Sequence, residues 1–479
     1  MQLYLYKLLS KPFLTNFLFC LIPISFIAGN LIINLNIFLI ILFAFIFYGN
    51  NIFKIQYNLL DKLILFFFSY VLFVGFINNI FDKTHTDFTI LIKSLLYLRF
   101  LILYFVIRYL TFNNIIKYKY LFYSCSLSSI FVCLDLIYQF TFGYDIFGFK
   151  GLGGRRLSGP FGDELIAGSY LQKFAFFIFF TLSFLEIKKD KKKFYFLSIL
   201  LLLLIIFSLI IAGNRIPFVM FLLMMISFFI FEKETRKYLL YFLIGSSFIF
   251  LTLYNLNPSI KSHFIMFKTK ASEFVIFFST ILIEDKQSAL IITKDGYSVT
   301  SDSKLISELK KKQSTTHALT KDSNINLVKN SEVININGKV VQIPNTHIKE
   351  FNSGYQTWQK KKYFGGGIKS FKYNCPKTGL LNCGPHPHNY YIEILAEIGL
   401  VGLVILIIIF SIIFYNTFVK RYFLNSEKKN NPMIVPFMFL FFIEIFPIKT
   451  TGSFFTSGNS TYIFLFMAIT IALSKKKIN

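Results

Sequence analysis

The chain of 479 residues is 55% hydrophobic and 19% aromatic, which is more apolar surface than a soluble domain of this length can bury. Its formal charge of +26 does not indicate nucleic-acid binding, because most lysines lie in short stretches between apolar blocks, as membrane orientation predicts. We therefore predict an integral membrane protein whose partners include membrane lipid and no nucleic acid.

Twelve apolar blocks follow one another along the chain, and most approach the roughly 20 residues that a helix needs to cross a bilayer. The first block has no small-residue cleavage site, so we interpret it as a helix and not as a signal peptide. The sequence thus predicts an all-α polytopic membrane protein with about 12 transmembrane helices. The blocks are 13–29, 31–48, 61–80, 89–110, 119–140, 164–185, 194–211, 216–231, 238–256, 392–414, 432–448 and 460–474.

Basic connectors set the predicted orientation of these helices. Every helix can alternate in direction if the basic segments are cytoplasmic. These segments are 188–193, 232–237, 420–429 and the tail 475–477. Both termini are then cytoplasmic. Three regions follow: 1–256 with helices 1–9 and the outer loop 141–163, the large periplasmic loop 257–391 between helices 9 and 10, and 392–479 with helices 10–12 and the cytoplasmic tail.

The large loop contains the polar, motif-bearing part of the sequence. Alternating residues at 333–341 predict a β-hairpin. The apolar run 274–283 is too short to span a membrane, and we expect an interfacial or packed helix there.

The strongest motif is Gly384-Pro385-His386-Pro387-His388-Asn389, directly before the tenth block. A neutral imidazole with a pKa of about 6.5 can take a proton from a sugar hydroxyl, so His388 and His386 are candidate catalytic residues. Either could instead cap the helix or pack against Tyr390. The pair has no obvious third ligand close by in sequence, so we predict no metal site.

Arginines mark two further outer segments. Arg155 and Arg156 lie in a loop rich in glycine that ends with Asp163 and Glu164, and Arg215 stands alone between two apolar blocks. The planar fork of arginine suits bidentate binding of phosphate oxygens, so all three are candidate diphosphate ligands. The alternatives are a solvated basic turn, an arginine that snorkels to the interface, and an acidic pair that caps the sixth helix.

Two cysteines, Cys375 and Cys383, flank a short stretch of the large loop just before the histidines. An oxidising periplasm would permit a disulfide between them. Their spacing disfavours a zinc pair.

With these motifs the sequence resembles the O-antigen ligase and O-antigen polymerase family of bacterial inner-membrane proteins. His388-Asn389, followed after a gap by Gly399-Leu400-Val401-Gly402, matches the pattern of that family. The glycine-rich stretch 364–371 after an amphipathic segment with Trp358, and the loop 156–164, are similar to other parts of the family. Residues 284–342 match nothing familiar.

The resemblance implies transfer of a glycan from undecaprenyl diphosphate to an acceptor glycolipid, such as lipid A-core, at the periplasmic face of the bacterial inner membrane. His388 would be the base or the acceptor-positioning group, and Arg215 and Arg156 would hold the diphosphate. The step would need neither metal nor nucleotide, and a single displacement would invert the anomeric carbon.

Other functions remain open at this point. An O-antigen polymerase uses the same donor to extend another lipid-linked glycan. A transporter of lipid-linked sugars would need charged residues inside several helices, for which Arg99 and Lys93 are the only notable candidates. A non-catalytic scaffold would leave the histidine and arginine motifs without a role.

Overall fold

The computed structural model describes residues 10–81, 88–151, 156–182, 191–262, 264–268, 289–293, 296–300, 332–336, 339–343, 347–378, 383–424, 431–449 and 452–475. Helices make up most of this part of the chain. In chain order they are α1 (Lys11–Ala28), α2 (Asn30–Tyr48), α3 (Leu59–Phe81), α4 (Thr89–Tyr97), α5 (Arg99–Phe112), α6 (Tyr118–Phe142), α7 (Ala167–Phe174), α8 (Phe177–Thr181), α9 (Lys191–Ile211), α10 (Arg215–Phe231), α11 (Arg236–Leu256), α12 (His347–Lys360), α13 (Phe371–Asn374), α14 (Tyr390–Phe414), α15 (Lys420–Tyr422), α16 (Ile434–Glu444) and α17 (Ser457–Lys475).

Nine stretches of the described chain are long and apolar enough to cross a membrane as helices, so the prediction of a polytopic helical membrane protein is confirmed. They coincide with nine of the twelve apolar blocks, and α4 and α5 together form one of them, Thr89–Phe112. The other three blocks contain shorter helices: α7 with α8, α10, and α16. The count of twelve therefore stays a prediction.

A small β-sheet lies in the chain between α11 and α12. Its strands are β1 (Ala289–Thr293), β2 (Gly296–Thr300), β3 (Glu332–Ile336) and β4 (Lys339–Ile343), in the order β2-β1-β4-β3. The central pair β1 and β4 is parallel, and the two outer pairs are antiparallel. β3 and β4 form the predicted hairpin, with Ile336 paired to Lys339. The apolar run 274–283 lies outside the described residues, so the interfacial helix expected there stays a prediction.

Helix α14 is broken at Gly399, where φ is 70° and ψ is −176°. With its continuation to Tyr422 this span has 33 residues, about 50 Å of helix at roughly 1.5 Å per residue, against a hydrocarbon core of about 30 Å. The break divides this span into two helical parts. The axis of the part before Gly399 can therefore differ in direction from the axis of the part after it.

A chain segment of residues 361–370, which we call the glycine turn, fills the break. A Cβ atom at Gly399 would lie 2.1 Å from the carbonyl oxygen of Tyr363, and one at Gly365 would lie 2.5 Å from the carbonyl oxygen of Glu397. Only glycine permits this approach of backbone to backbone. Both glycines also have positive φ.

Backbone hydrogen bonds across the break satisfy the groups that the helix leaves without partners, as a membrane environment requires. The turn donates to the helix and the helix donates back. The pairs are Gly366 N to Ala396 O at 3.1 Å, Gly367 N to Glu397 O at 2.6 Å, Leu400 N to Lys362 O at 2.9 Å and Val401 N to Tyr363 O at 3.2 Å. The hydroxyl of Tyr70 on α3 donates to Ile398 O at 2.8 Å.

Helix α12 leads into the glycine turn and packs across the start of α14. A Cβ atom at Gly354 would lie 2.3 Å from Cγ2 of Ile392 and 2.8 Å from Cβ of Pro387, so the two helices touch where α12 has no side chain. The amphipathic segment containing Trp358 is thus a helix, and it lies directly beside the histidine motif.

After the glycine turn, a disulfide joins Cys375 to Cys383, with their Cα atoms 5.8 Å apart. Cys375 is buried against Phe371 and Ala396. The bond therefore anchors the segment that leads to His386 against the first turns of α14.

We expect Gly399→Ala to destabilise the protein strongly, because alanine disfavours the positive φ and its methyl group would overlap the backbone of the glycine turn. A loss of about 3 kcal/mol or more is reasonable for combined strain and overlap. Thermal unfolding in detergent measures the effect. Gly245→Ala is the matched control, since its Cβ would meet only the flexible end of Leu203 at 3.0 Å. Equal unfolding temperatures for the two variants would contradict this account of the break.

Candidate functional site

His386 and His388 lie immediately before α14, with ring centroids 4.2 Å apart. The backbone N–H of His388 donates to Nδ1 of His386 at 3.2 Å, and His388 has a positive φ of 53°. His386 therefore helps to hold His388 in an unusual backbone conformation.

Asn389 is the N-cap of α14. Its Oδ1 accepts from the backbone N–H groups of Tyr391 and Ile392 at 3.0 and 3.2 Å. Its Nδ2 donates to the carbonyl oxygens of Pro447 and Lys449 at 2.9 and 3.4 Å. The residue after His388 thus fixes the start of the helix and ties it to the segment that follows α16.

Glu350 on α12 is the acidic neighbour of His388. Its Oε1 lies 3.4 Å from Nε2 of His388, and both side chains keep just under a third of their surface exposed. Sequence reasoning missed this residue, because nothing in its surroundings marks it. Its position one helical turn before Gly354 brings it to the histidine only once α12 has packed on Pro387.

Burial, with a smaller contribution from the neighbouring His388, lowers the pKa of His386 to about 4, while Glu350 opposes the shift. His386 is therefore neutral near pH 7. A neutral ring has a lone pair on one nitrogen, which agrees with Nδ1 accepting the bond from the backbone of His388.

The structure brings the two predicted arginine segments together. Leu157 N donates to Ala212 O at 3.3 Å, and Nδ2 of Asn214 donates to Leu165 O at 3.1 Å. Arg156 consequently lies close enough to Arg215 to act on it electrostatically. Arg155 lies outside the described residues, so its role stays a prediction.

Gln139 on α6 holds the loop that carries Arg156 through hydrogen bonds. Its Nε2 donates to Phe149 O and Ser158 Oγ at 3.1 and 3.3 Å, and its Oε1 accepts from Gly159 N at 2.9 Å. A cavity of about 220 Å³ lies between this loop and the 212–215 turn. Its lining includes Gln139, Leu157, Ile211, Gly213, Asn257 and Phe264.

Arg215 begins α10 and lies beside an aromatic ring, with its guanidinium carbon 6.0 Å from the ring centroid of Phe267. Arg156 is exposed. Two guanidinium groups held near each other repel, and an anion that binds both relieves the repulsion.

Asp163 and Glu164 are exposed and lie in the turn before α7. The N-cap of α7 is Ile166, which makes no side-chain capping bond. Neither carboxylate occupies the capping position that the sequence allowed, and both lie on the loop that carries Arg156.

A buried charge cluster connects the arginine segments to the histidine motif. Glu444 at the end of α16 contacts Nζ of Lys449 at 2.5 Å and Nζ of Lys173 at 3.5 Å, and the hydroxyl of Tyr390 donates to it at 2.8 Å. All four side chains are nearly inaccessible. Lys449 is also the residue whose carbonyl accepts from Asn389.

Helix α7 reaches both groups. A Cβ atom at Gly168 would lie 2.6 Å from Cβ of Asn214, so its first turn packs against the Arg215 segment. Lys173, five residues later and about 7.5 Å along the helix, contacts Glu444. The segment of Arg215 and the charge cluster that reaches the histidine motif therefore contact the same helix.

The expectation that Arg99 and Lys93 are the only notable charges within the helices is wrong. Lys173 and Glu444 are buried in the cluster just described, and Asp61 on α3 pairs with Arg108 on α5 at 3.3 Å. One charged residue changes the mean hydropathy of a long apolar block very little, so these charges do not stand out when whole blocks are compared by hydropathy.

Glu393 and Glu397, on successive turns of α14, are buried acceptors. Glu393 accepts from Ser453 Oγ at 2.5 Å and Phe454 N at 2.6 Å. Glu397 accepts from Lys369 N at 2.6 Å and Phe371 N at 3.4 Å. They fix loops on two sides of α14.

Gly402, the second glycine of the motif, lies one turn after the break. A Cβ atom there would lie 2.6 Å from the side chain of Ile398. The pair Gly399 and Gly402 thus serves the packing of α14, and Asn389 serves its start.

Comparison of the chain with protein-family models gives no match, and neither does comparison with curated proteins.

Proposed function

We propose that the protein is a glycosyltransferase of the O-antigen ligase type, which moves a glycan from undecaprenyl diphosphate to an acceptor glycolipid such as lipid A-core. One observation carries the proposal. A histidine beside a carboxylate is connected to two neighbouring arginines through the short helix α7 and the buried cluster at Glu444, which contacts Tyr390 at the start of α14.

In the proposed reaction Arg156 and Arg215 hold the diphosphate of the donor. As the acceptor hydroxyl attacks the anomeric carbon, the bond from that carbon to the diphosphate breaks and negative charge grows on the leaving group. Positioned guanidinium groups stabilise this charge, which is where preorganised donors contribute most to rate.

His388 takes the proton of the attacking hydroxyl and later releases it to water. Glu350 orients the imidazole through Nε2 and stabilises the positive charge that the ring gains. A single displacement of this kind inverts the anomeric carbon. Undecaprenyl diphosphate is the second product.

The proposed location is the inner membrane of a bacterium, with cytoplasmic termini and a periplasmic site. The distribution of lysines among the connectors supports this orientation. The disulfide between Cys375 and Cys383 also supports it, since such bonds persist in the periplasm and not in the cytosol.

Accessibility labelling tests the orientation. In intact cells we expect a membrane-impermeant maleimide to label Ser303→Cys, and to label Ser426→Cys only after the membrane is permeabilised. The unmodified protein is the control, because its free cysteines Cys20, Cys125 and Cys133 lie within α1 and α6. Labelling of Ser426→Cys alone in intact cells would reverse the topology and remove the proposed location of the site.

We expect His388→Ala and Arg215→Ala each to abolish most of the transfer without preventing insertion. Loss of a general base lowers rates by about 10² to 10⁴, and loss of the arginine removes a charge-assisted contact to the leaving group. Arg215→Lys should recover part of the activity, because lysine keeps the charge and loses the fork. The measurement is glycan transfer by reconstituted protein at matched amounts.

Gel analysis of the surface glycan in a deletion strain complemented with these variants tests the type of reaction. A ligase variant without activity accumulates long lipid-linked polymer, whereas an inactive polymerase leaves single repeats. Near-normal transfer by His388→Ala would mean that this histidine is structural.

A milder effect is expected for His386→Ala, together with an unchanged pH profile. The pKa of His386 lies near 4, so this ring stays neutral between pH 5 and 8, and its removal cannot remove a titration from that range. The rate should fall modestly, because the bond to the backbone of His388 is lost. A pH–rate profile of both proteins measures this, and a shifted acid limb in the variant would show that His386 itself titrates during catalysis.

A further inference from the structure

Three basic side chains meet where α4 and α5 approach the glycine turn. Lys93 lies on α4, Arg99 begins α5 and Lys369 lies in the turn. A Cβ atom at Gly367, two residues before Lys369, would lie 2.3 Å from Cγ2 of Ile90, so α4 packs directly against the turn. Lys369 lies within electrostatic range of both Lys93 and Arg99. Nζ of Lys93 also lies 5.1 Å from the ring centroid of Tyr373. None of the three forms an ion pair with any residue in the part of the chain that is described.

Two carboxylates lie near these cations, and both are already engaged. Glu397 accepts from the backbone of Lys369 and Phe371, and Glu393 accepts from Ser453 and Phe454. The cluster therefore has three positive charges facing two carboxylates whose oxygens already bond to other groups. Such a cluster favours an anion.

Arg99 lies well within the span Thr89–Phe112, ten residues from its start. Its Nη2 donates to Ser457 Oγ at 3.2 Å and its Nη1 to Leu96 O at 3.3 Å. Its Nε is buried and has no hydrogen-bond partner among the described residues. Arginines at membrane depth face a partner or a polar cavity. The guanidinium group of Arg99 still has a donor, Nε, that is not bonded to any described residue.

The side chains next to the cluster on α4 face outward from the bundle. Ile92, Leu95 and Leu96 each keep 50% or more of their surface exposed, which in a membrane-spanning stretch means contact with lipid. A ligand of the cluster can therefore arrive from within the membrane.

We propose that Lys93, Arg99 and Lys369 form a second anion site, separate from Arg156 and Arg215, which binds a phosphate group carried by a membrane lipid. The identification of that lipid as the acceptor glycolipid rests on the proposed function. The binding of a lipid phosphate does not.

The position of the site suits an acceptor. Glu393 and Glu397 lie three and seven residues after Tyr390, the first residue of α14, which is about 4.5 and 10.5 Å along the helix at roughly 1.5 Å per residue. The backbone N–H of Lys369 donates to Glu397. A lipid phosphate bound there leaves its sugar free to extend toward the imidazole.

Photo-crosslinking tests the site without any need for transfer. The probe is a phosphatidic acid with a diazirine near its head group, placed in phosphatidylcholine nanodiscs that hold the full-length protein. Mass spectrometry should find labelled peptides within 88–99 and 363–374. We expect Arg99→Gln to lower this labelling about tenfold, as the loss of one charge-assisted contact of about 1.4 kcal/mol predicts.

Lys369→Asn is the second variant, because the residue is exposed and asparagine tolerates its positive φ of 56°. It should lower the labelling several-fold even where Arg99→Gln impairs folding. Arg156→Gln is the matched control, an arginine lost from the other anion site, and should leave the labelling of these peptides unchanged.

Three results would overturn the proposal: unchanged labelling in both Arg99→Gln and Lys369→Asn, equal labelling by a diazirine phosphatidylcholine, or complete displacement of the probe by millimolar inorganic phosphate. The second result would mean that the probe is ordinary boundary lipid, and the third that the site binds soluble anions.

In the transfer assay, Arg99→Gln should raise the KM for the acceptor and leave the KM for the donor unchanged. A protein that binds the probe and transfers nothing would contradict the proposed function alone.

Discussion

The hydrogen bonds between the glycine turn and the broken helix α14 are the interaction on which the rest of the site depends. In lipid an unsatisfied backbone group costs several kcal/mol, so the break at Gly399 is stable only while the turn is docked. Docking fixes α12, which leads into the turn, and α12 in turn brings Glu350 to His388. It also places Lys369 on Glu397. The position of Glu350 beside the histidine motif therefore depends on the break in α14.

Charge inside the bundle is arranged in two different ways. Asp61 with Arg108, and Glu444 with Lys449 and Lys173, are sets in which opposite charges touch, and such sets mainly fix helices relative to one another. By contrast, the arginine segments and the cluster at Lys93, Arg99 and Lys369 gather like charges. Repulsion between like charges destabilises an empty protein and is relieved by an anion, so both places are suited to ligands and poorly suited to structural support.

Much of this architecture could be predicted from the sequence, because apolar length and lysine position report directly on membrane spans. The hairpin at 333–341 followed from alternation. The prediction that Arg156 and Arg215 hold one diphosphate agrees with the contacts between their segments. Glu350 and Lys173 could not be predicted, since each meets its partner only through the packing of separate helices. The break at Gly399 could not be predicted either, because a glycine within an apolar run can also have an ordinary helical φ.

The bond between Cys375 and Cys383 has a consequence for how the protein matures. In the proposed periplasmic location the bond forms only after its segment has crossed the membrane, and it anchors the approach to the histidines against Ala396. On that proposal, the approach to the histidines is not yet tethered in a newly inserted chain. Reductants in a purification buffer would remove this tether.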